Sequence, residues 1–179
     1  MGKVKSKDLA DAFGVGIPKW KRWAKEFLGP GPGKMMRGYA REYTALDALK
    51  VYLGGLLVGE KALGVEEAKR AIKELWPWLE AQGYFESRLN GYFEHDPPEV
   101  KEWVIAIQRL RDGRLQFLAK GILKCEQIRR EGTRVVWQET YFHEPIGTWQ
   151  STDIISEAIL NPDSEIKAFW LLWNRLKKD

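Results

Sequence analysis

The stretch IPKWKRWAKEFL, residues 17–28, decides how this chain is interpreted. Its apolar residues recur at helical spacing, and the proline stands in the first turn, where its missing N–H costs little. The basic residues of the stretch are Lys19, Lys21, Arg22 and Lys25. The pattern predicts a helix with one apolar side and one cationic side. Trp20 and Trp23 could stack on nucleic-acid bases, but their helical spacing favours a place in the core.

The flanking sequence predicts a second helix, a tight turn and a basic wing. Residues 6–13, SKDLADAF, read as a short helix with Ser6 as N-cap, and glycines 14 and 16 stop it. Residues 29–33, GPGPG, end the helix that follows, and the basic stretch 34–41 reads as a small hairpin. The residues of this wing that we expect to contact a polyanion are Lys34, Arg37, Tyr39 and Arg41.

The positive charge of the chain is concentrated in its first quarter. The whole chain of 179 residues carries a net charge of +4, whereas residues 1–41 hold ten basic and three acidic residues, a net charge of +7. A short cationic segment on a near-neutral body is typical of a polyanion-binding module. An ordinary solvated face is the alternative for the same residues.

The rest of the chain predicts an α+β fold. Residues 44–47, TALD, resemble a capping box that begins a third helix, which runs to about Leu57 with Leu46 among its inward residues. A fourth helix is predicted over 65–81, with Pro77 kinking or splitting it. Residues 101–144 suit a three-stranded antiparallel meander with a turn at 112–113 and a bulge at Gly121. A helix over 164–176 is expected to cover this sheet, and 153–160 to add a helical turn or two.

This pattern divides the chain into three parts. Residues 1–83 form a winged helix-turn-helix domain, 84–98 a linker, and 99–179 a sensing or oligomerisation domain. The aromatic residues of the last part fill the core of a small sheet-plus-helix layer, or line a pocket for a small apolar effector. A dimer interface through Trp170 and Trp173 is a third interpretation.

Several classes of protein do not fit the composition. Cys125 is the single cysteine, so no internal disulfide and no cysteine-based zinc site is expected, and neither a metal nor another cofactor is predicted. His95 and His143 stand beside acidic residues without a nearby nucleophile, so we do not expect an enzyme. No apolar run is long enough to span a bilayer and no secretory signal is recognisable, which indicates a cytoplasmic protein without membrane contact.

The N-terminal part resembles the winged helix-turn-helix domain of MerR-type regulators. Gly14-Val15, Ile17 with residues 20–23 (WKRW), and residues 38–44 (GYAREYT) are similar to that family's turn, recognition helix and wing. The resemblance covers about residues 3–80. It implies that Lys21 and Arg22 lie at the positions where basic residues of the family's recognition helix contact DNA. It also implies that Arg41 matches an arginine of the family's wing. The family's long dimerising helix and its metal-sensing cysteines are missing here, and excisionases and phage terminase small subunits carry similar domains.

The sequence therefore predicts a sequence-specific double-stranded DNA-binding protein. The second helix would enter the major groove, which is about 12 Å wide, while the wing grips the backbone. A MerR-like transcriptional regulator acting as a homodimer is the leading interpretation. A phage or mobile-element DNA-binding protein, or a module that docks an acidic protein partner, are the alternatives.

Overall fold

The helices and strands confirm the α+β class. The computed structural model describes residues 4–29, 41–85, 100, 102–131, 134–149 and 153–177, which contain five helices and two antiparallel sheets. Contacts along the chain divide it into two units. One consists of Met1–Lys73 with Ile166–Asp179, and the other of Glu74–Glu165.

The first unit is helical, with one two-stranded sheet. Its elements in chain order are β1 (Val4–Lys5), α1 (Ser6–Ala12), α2 (Ile17–Leu28), β2 (Glu42–Tyr43), α3 (Ala45–Gly59), the first half of α4 (Val65–Ala81) and most of α5 (Pro162–Leu176). β1 and β2 pair antiparallel. The predicted helices over 17–28 and 65–81 are confirmed at both ends.

The starts of two helices show how local and tertiary contacts compete. The predicted capping box of α3 is confirmed, since the Asp47 amide donates to Thr44 Oγ1 and the Thr44 amide donates to the Asp47 carboxylate, each at 3.2 Å. The prediction that Ser6 caps α1 is wrong, because Lys5 is the N-cap and Ser6 is the first helical residue. The buried Ser6 hydroxyl lies 3.1 Å from the Tyr43 hydroxyl of β2, while the Lys5 amide donates to the Asp8 carboxylate at 3.3 Å at the start of the helix.

The inward face of α3 is close to the predicted one. Leu49, Leu53 and Leu57 are buried, but Leu46 is 39% exposed, so its predicted inward position is wrong. Ala45 and Ala48 occupy the inward positions of the first turn instead. Leu46 lies between them in sequence, on a side of the helix outside the buried apolar face.

The C-terminal helix α5 has a different partner from the one predicted. From Ile166 onward it belongs to the first unit rather than to the sheet. The Phe169 ring stacks on Phe13 at 5.6 Å between centroids and lies 5.7 Å from Tyr52. The apolar stripe of α5 therefore contacts Phe13, which directly follows α1, and Tyr52 of α3. The two units divide the chain after Lys73 and before Ile166, whereas the sequence predicts a linker over 84–98.

The second unit is built on a four-stranded antiparallel sheet. Its strands are β3 (Glu102–Leu110), β4 (Leu115–Glu131), β5 (Arg134–Ile146) and β6 (Ile154–Leu160), in the order β5-β4-β3-β6. The predicted meander corresponds to β3, β4 and β5, with Gly113 at a φ of +81° in the turn. The helical prediction for 153–160 is wrong, because this stretch pairs with β3 as a fourth strand. Its isoleucines are β-branched and favour a strand once β3 offers an edge.

One face of the sheet is buried, and the C-terminal half of α4 contacts it through Trp78. Trp103 on β3 is fully buried and meets Trp78 of α4 edge to face, with ring centroids 5.1 Å apart. The predicted bulge at Gly121 is wrong, because Gly121 lies opposite Trp103 in regular register. The register of β4 with β5 shifts instead between Ile122 and Lys124 and between Gln127 and Arg129. Glycine is needed at 121 because a Cβ there would lie 2.7 Å from the Phe142 ring.

The fourth helix is continuous through its proline. Pro77 lies inside α4, which runs to Ala81 without the predicted split. Most of the predicted linker, 86–98, lies outside the described residues. In the part of the chain that the structure describes, the helices are all too short or too polar to cross a membrane.

Candidate nucleic-acid interface

The helix α2 has the two faces that its sequence predicts. Trp20, Trp23 and Phe27 are 0%, 8% and 7% exposed, which confirms that the tryptophans belong to the core. The four basic residues predicted to bind a polyanion are all exposed on the other side: Lys19, Lys21, Arg22 and Lys25. The burial of one face fixes the orientation of the helix, so the cationic face is held toward solvent.

Two glycines of α3 allow α2 to approach closely. A Cβ at Gly54 would lie 2.4 Å from the Phe27 ring, and a Cβ at Gly55 would lie 2.3 Å from the Trp23 ring. Real Cβ atoms do not come this close to a ring, so neither position accepts a side chain without movement. The sequence pattern did not predict this close approach. The only signal was a Gly-Gly pair inside an otherwise helical pattern.

The turn between α1 and α2 is held by backbone hydrogen bonds and ring stacking. Gly14 has a φ of +62°, a conformation that side chains disfavour. The Val15 amide donates to the Ala10 carbonyl at 2.8 Å, which closes the turn. The ring of Phe13 stacks on Trp20 at 5.5 Å, so the two helices share one apolar layer.

Arg41 has a structural contact that the sequence did not predict. Its Nη1 donates to the carbonyls of Gly29 (3.0 Å) and Ala24 (3.4 Å), at the C-terminal end of α2. Its guanidinium also lies 5.7 Å from the centroid of the Tyr43 ring. A cation satisfies carbonyls that a helix end leaves without partners. This half-buried side chain therefore anchors the end of α2, and its predicted contact with DNA stays a prediction.

A cation–π contact and a pair of salt bridges involve charged residues on or beside the cationic face of α2. Lys19 Nζ lies 4.8 Å from the centroid of the Trp23 ring, a cation–π distance that holds it along the helix. Lys69 of α4 lies 2.8 Å from carboxylate oxygens of both Glu26 and Glu66. The hydrogen bond that Lys69 donates lowers the pKa of Glu26. The pKa of Lys69 is raised, mainly by its hydrogen bond to Glu26 and next by its hydrogen bond to Glu66. The one acid of α2 is thus neutralised by a neighbouring helix.

The structure describes only some of the other residues that the sequence singled out. Lys34, Arg37 and Tyr39 lie outside the described residues, so their part in the site stays a prediction. His143 is exposed on β5, with its ring 5.2 Å from that of Tyr141, and His95 also lies outside the described residues.

The aromatic residues of the predicted C-terminal module do not share one environment. Trp170 and Trp173 are 6% and 1% exposed, so the chain itself buries the side chains that were considered for a dimer interface. Trp103 is packed between the rings of Trp78 and Phe142. This packing favours the core interpretation of Trp103 over a pocket for an effector.

Comparison with known proteins adds no relative to this picture. Neither the protein-family models, nor the curated proteins, nor the solved structures searched contain a match to this chain. The geometry of α2 and of the residues around it is therefore the basis for assigning a function.

Proposed function

We propose that this chain binds double-stranded DNA with α2 in the major groove, as a winged helix-turn-helix protein. The observation that carries the proposal is the exposure of all four basic residues of α2 while the opposite face is buried. A helix of 12 residues is about 18 Å long, and a single helix fits the major groove, which is about 12 Å wide.

The charges on this helix suit the DNA backbone first and its bases second. Lysine is a point charge that neutralises phosphates, whereas arginine can also bind a guanine edge through two hydrogen bonds. Lys21 and Lys25 would therefore contribute affinity, and Arg22 would contribute both affinity and sequence preference. Glu26 does not oppose binding strongly, because Lys69 already pairs with it.

The resemblance to MerR-type regulators supports a role in transcription control. Similar domains in excisionases and terminase small subunits make recombination and DNA packaging the related alternatives. All three share the same contact between a helix and duplex DNA. The experiment below tests that contact directly.

The test compares two charge-matched double variants of the full chain. Lys21→Ala/Arg22→Ala removes two exposed cations from α2, and Lys167→Ala/Arg175→Ala removes two exposed cations from α5. At about 0.1 M salt each lost phosphate contact weakens binding roughly tenfold, because fewer counterions are released. Fluorescence anisotropy on a labelled duplex pool should therefore show a Kd raised about 100-fold for the first variant. The second variant should change the Kd by much less.

Two results would overturn the proposal. Equal affinities of the wild type and the α2 variant, with an unchanged melting temperature, would remove α2 from the interface. No binding of the wild type to any duplex at low salt would favour the alternative in which the cationic face docks an acidic protein. Selection of bound sequences from a random duplex pool then separates specific from non-specific binding.

A further inference from the structure

Glu26 is the one acid among the cations of α2, and it follows Arg22 by a single helical turn. Residues four apart on a helix are neighbours on its surface, and opposite charges at this spacing attract each other. The Arg22 side chain is exposed, and that of Glu26 is 35% exposed. On an isolated α2, the Glu26 carboxylate would therefore draw the Arg22 guanidinium back along the helix.

Lys69 of α4 holds the Glu26 carboxylate instead. Its Nζ lies 2.8 Å from Glu26 Oε2 and 2.8 Å from Glu66 Oε1, so one ammonium group donates to a carboxylate on each of two helices. The hydrogen bond from Lys69 is the largest cause of the lowered pKa of Glu26. The positive charge of Arg22 lowers that pKa too, as a smaller cause. Lys69 is thus the dominant partner of a carboxylate on which the charge of Arg22 also acts.

The place of Lys69 on α4 is fixed by the packing of that helix. Its neighbours Ala68 and Ile72 are buried, and Lys69, 32% exposed, lies at the rim of the buried face. The second salt bridge, to Glu66 on the same helix, holds the ammonium group in place. Because two carboxylates already compensate its charge, Lys69 is better suited to hold Glu26 than to neutralise a phosphate.

We propose that Lys69 is a positioning residue of the DNA interface, which keeps Glu26 from engaging Arg22. The inference rests on the proposed function, because it concerns how α2 presents Arg22 to a duplex. With Glu26 held by α4, the guanidinium keeps its donors for phosphate oxygens or for a guanine edge. Without Lys69, the Glu26 carboxylate competes with the duplex for Arg22 and repels nearby phosphates.

The experiment measures the Kd of full-chain variants for the labelled duplex pool by fluorescence anisotropy. Lys69→Ala should raise the Kd about three- to tenfold, because the pairing of Arg22 with Glu26 and the uncompensated charge of Glu26 are each worth a few-fold. Glu26→Gln/Lys69→Ala should return the Kd to within about twofold of the wild-type value, because the competing carboxylate is gone. Lys69→Arg keeps the charge and should bind like the wild type.

Adding Arg22→Ala to each protein shows whether the effect passes through Arg22. In the wild type this substitution removes a contact worth about tenfold in Kd at about 0.1 M salt. In the Lys69→Ala background it should cost at least about twofold less, because Glu26 already engages the guanidinium part of the time. In the Glu26→Gln/Lys69→Ala background the full cost should return.

Lys73→Ala is the matched control. Lys73 is an exposed lysine one turn further along α4, so its loss changes the net charge equally and leaves the pair of Lys69 with Glu26 in place. It should change the Kd by less than about twofold and leave the cost of Arg22→Ala unaltered. An equal loss of affinity in Lys73→Ala and Lys69→Ala would attribute the effect to the net charge of α4 and overturn the inference.

The other outcomes are equally decisive. Wild-type affinity of Lys69→Ala would overturn the inference, and so would a loss that Glu26→Gln does not rescue, since Lys69 would then contact the duplex itself. A cost of Arg22→Ala that is the same in every background would do so too. If Lys69→Ala lowers the melting temperature, Lys69→Met keeps the apolar stem and carries the same comparisons. A wild type that binds no duplex removes the proposed function and this inference with it, whereas the results above leave the function standing.

Discussion

Replacing Gly55 by alanine tests whether α2 is held by close approach to α3. The added Cβ would lie 2.3 Å from the Trp23 ring, and the ring must move by more than an ångström to reach an ordinary contact near 3.5–4 Å. Trp23 is 8% exposed and packed against α3, so it has little room to shift. The substitution therefore adds volume where the core is already filled.

Two opposing effects define the expected loss of stability. Overpacking of a filled core costs about 1–3 kcal/mol. Alanine in a helix interior is more favourable than glycine by up to about 1 kcal/mol. The net effect on the free energy of unfolding is a loss of about 1–2 kcal/mol, which in a chain of this size lowers the melting temperature by about 2–8 °C.

Thermal unfolding followed by circular dichroism measures this change, and Gly59→Ala is its control. Gly59 lies on the same helix, but its nearest neighbour, an atom of the Trp23 ring, would be 3.8 Å from the new Cβ. Gly59→Ala should be neutral or slightly stabilising. A Gly55→Ala protein that melts at or above the wild-type temperature would refute the packing argument.

Three further predictions concern single side chains around α2 and α3. Arg41→Gln should reduce the free energy of unfolding by about 1–2 kcal/mol, because the carbonyls at the end of α2 lose their donor. Thr44→Ala should cost about 1 kcal/mol in denaturant unfolding, since it removes the cap of α3. Glu26→Gln should be less stable than the wild type at neutral pH, because Lys69 lowers the pKa of Glu26. That stabilisation is present above the unfolded pKa of about 4.3 and disappears as the pH falls through the lower folded pKa, so the two proteins should converge in acid. Wild-type stability of Arg41→Gln would contradict the contact of Arg41 with the end of α2. An unchanged denaturation midpoint of Thr44→Ala would contradict the cap of α3. A stability difference for Glu26→Gln that persists in acid would contradict the ion pair of Glu26 with Lys69.

The helices could be predicted from the sequence because their signals are local. The ends of α2 follow from a proline in the first turn and a Gly-Pro run after the last. The start of α3 follows from the spacing of Thr44 and Asp47. The cationic face of α2 was also predictable, because helical periodicity separates its apolar and basic residues before any tertiary contact is known.

The contacts between distant segments could not be predicted in this way. Strand β6 is short, its pattern also suits a helical turn, and its partner β3 lies about 50 residues earlier. The aromatic stripe of α5 indicated a buried face without indicating which surface covers it. The contact of Arg41 with the end of α2 depends on strand pairing that brings β2 beside β1. These features need the folded chain, because each depends on a partner that the local sequence does not specify.

The salt dependence of duplex DNA binding tests the central claim most directly. Each phosphate contact contributes about −0.9 to the slope of log K against log salt concentration. If the cationic face of α2 binds the backbone, the slope for Lys21→Ala/Arg22→Ala should be less steep than that of the wild type by about 2. Identical slopes for the two proteins, both folded, would contradict the account.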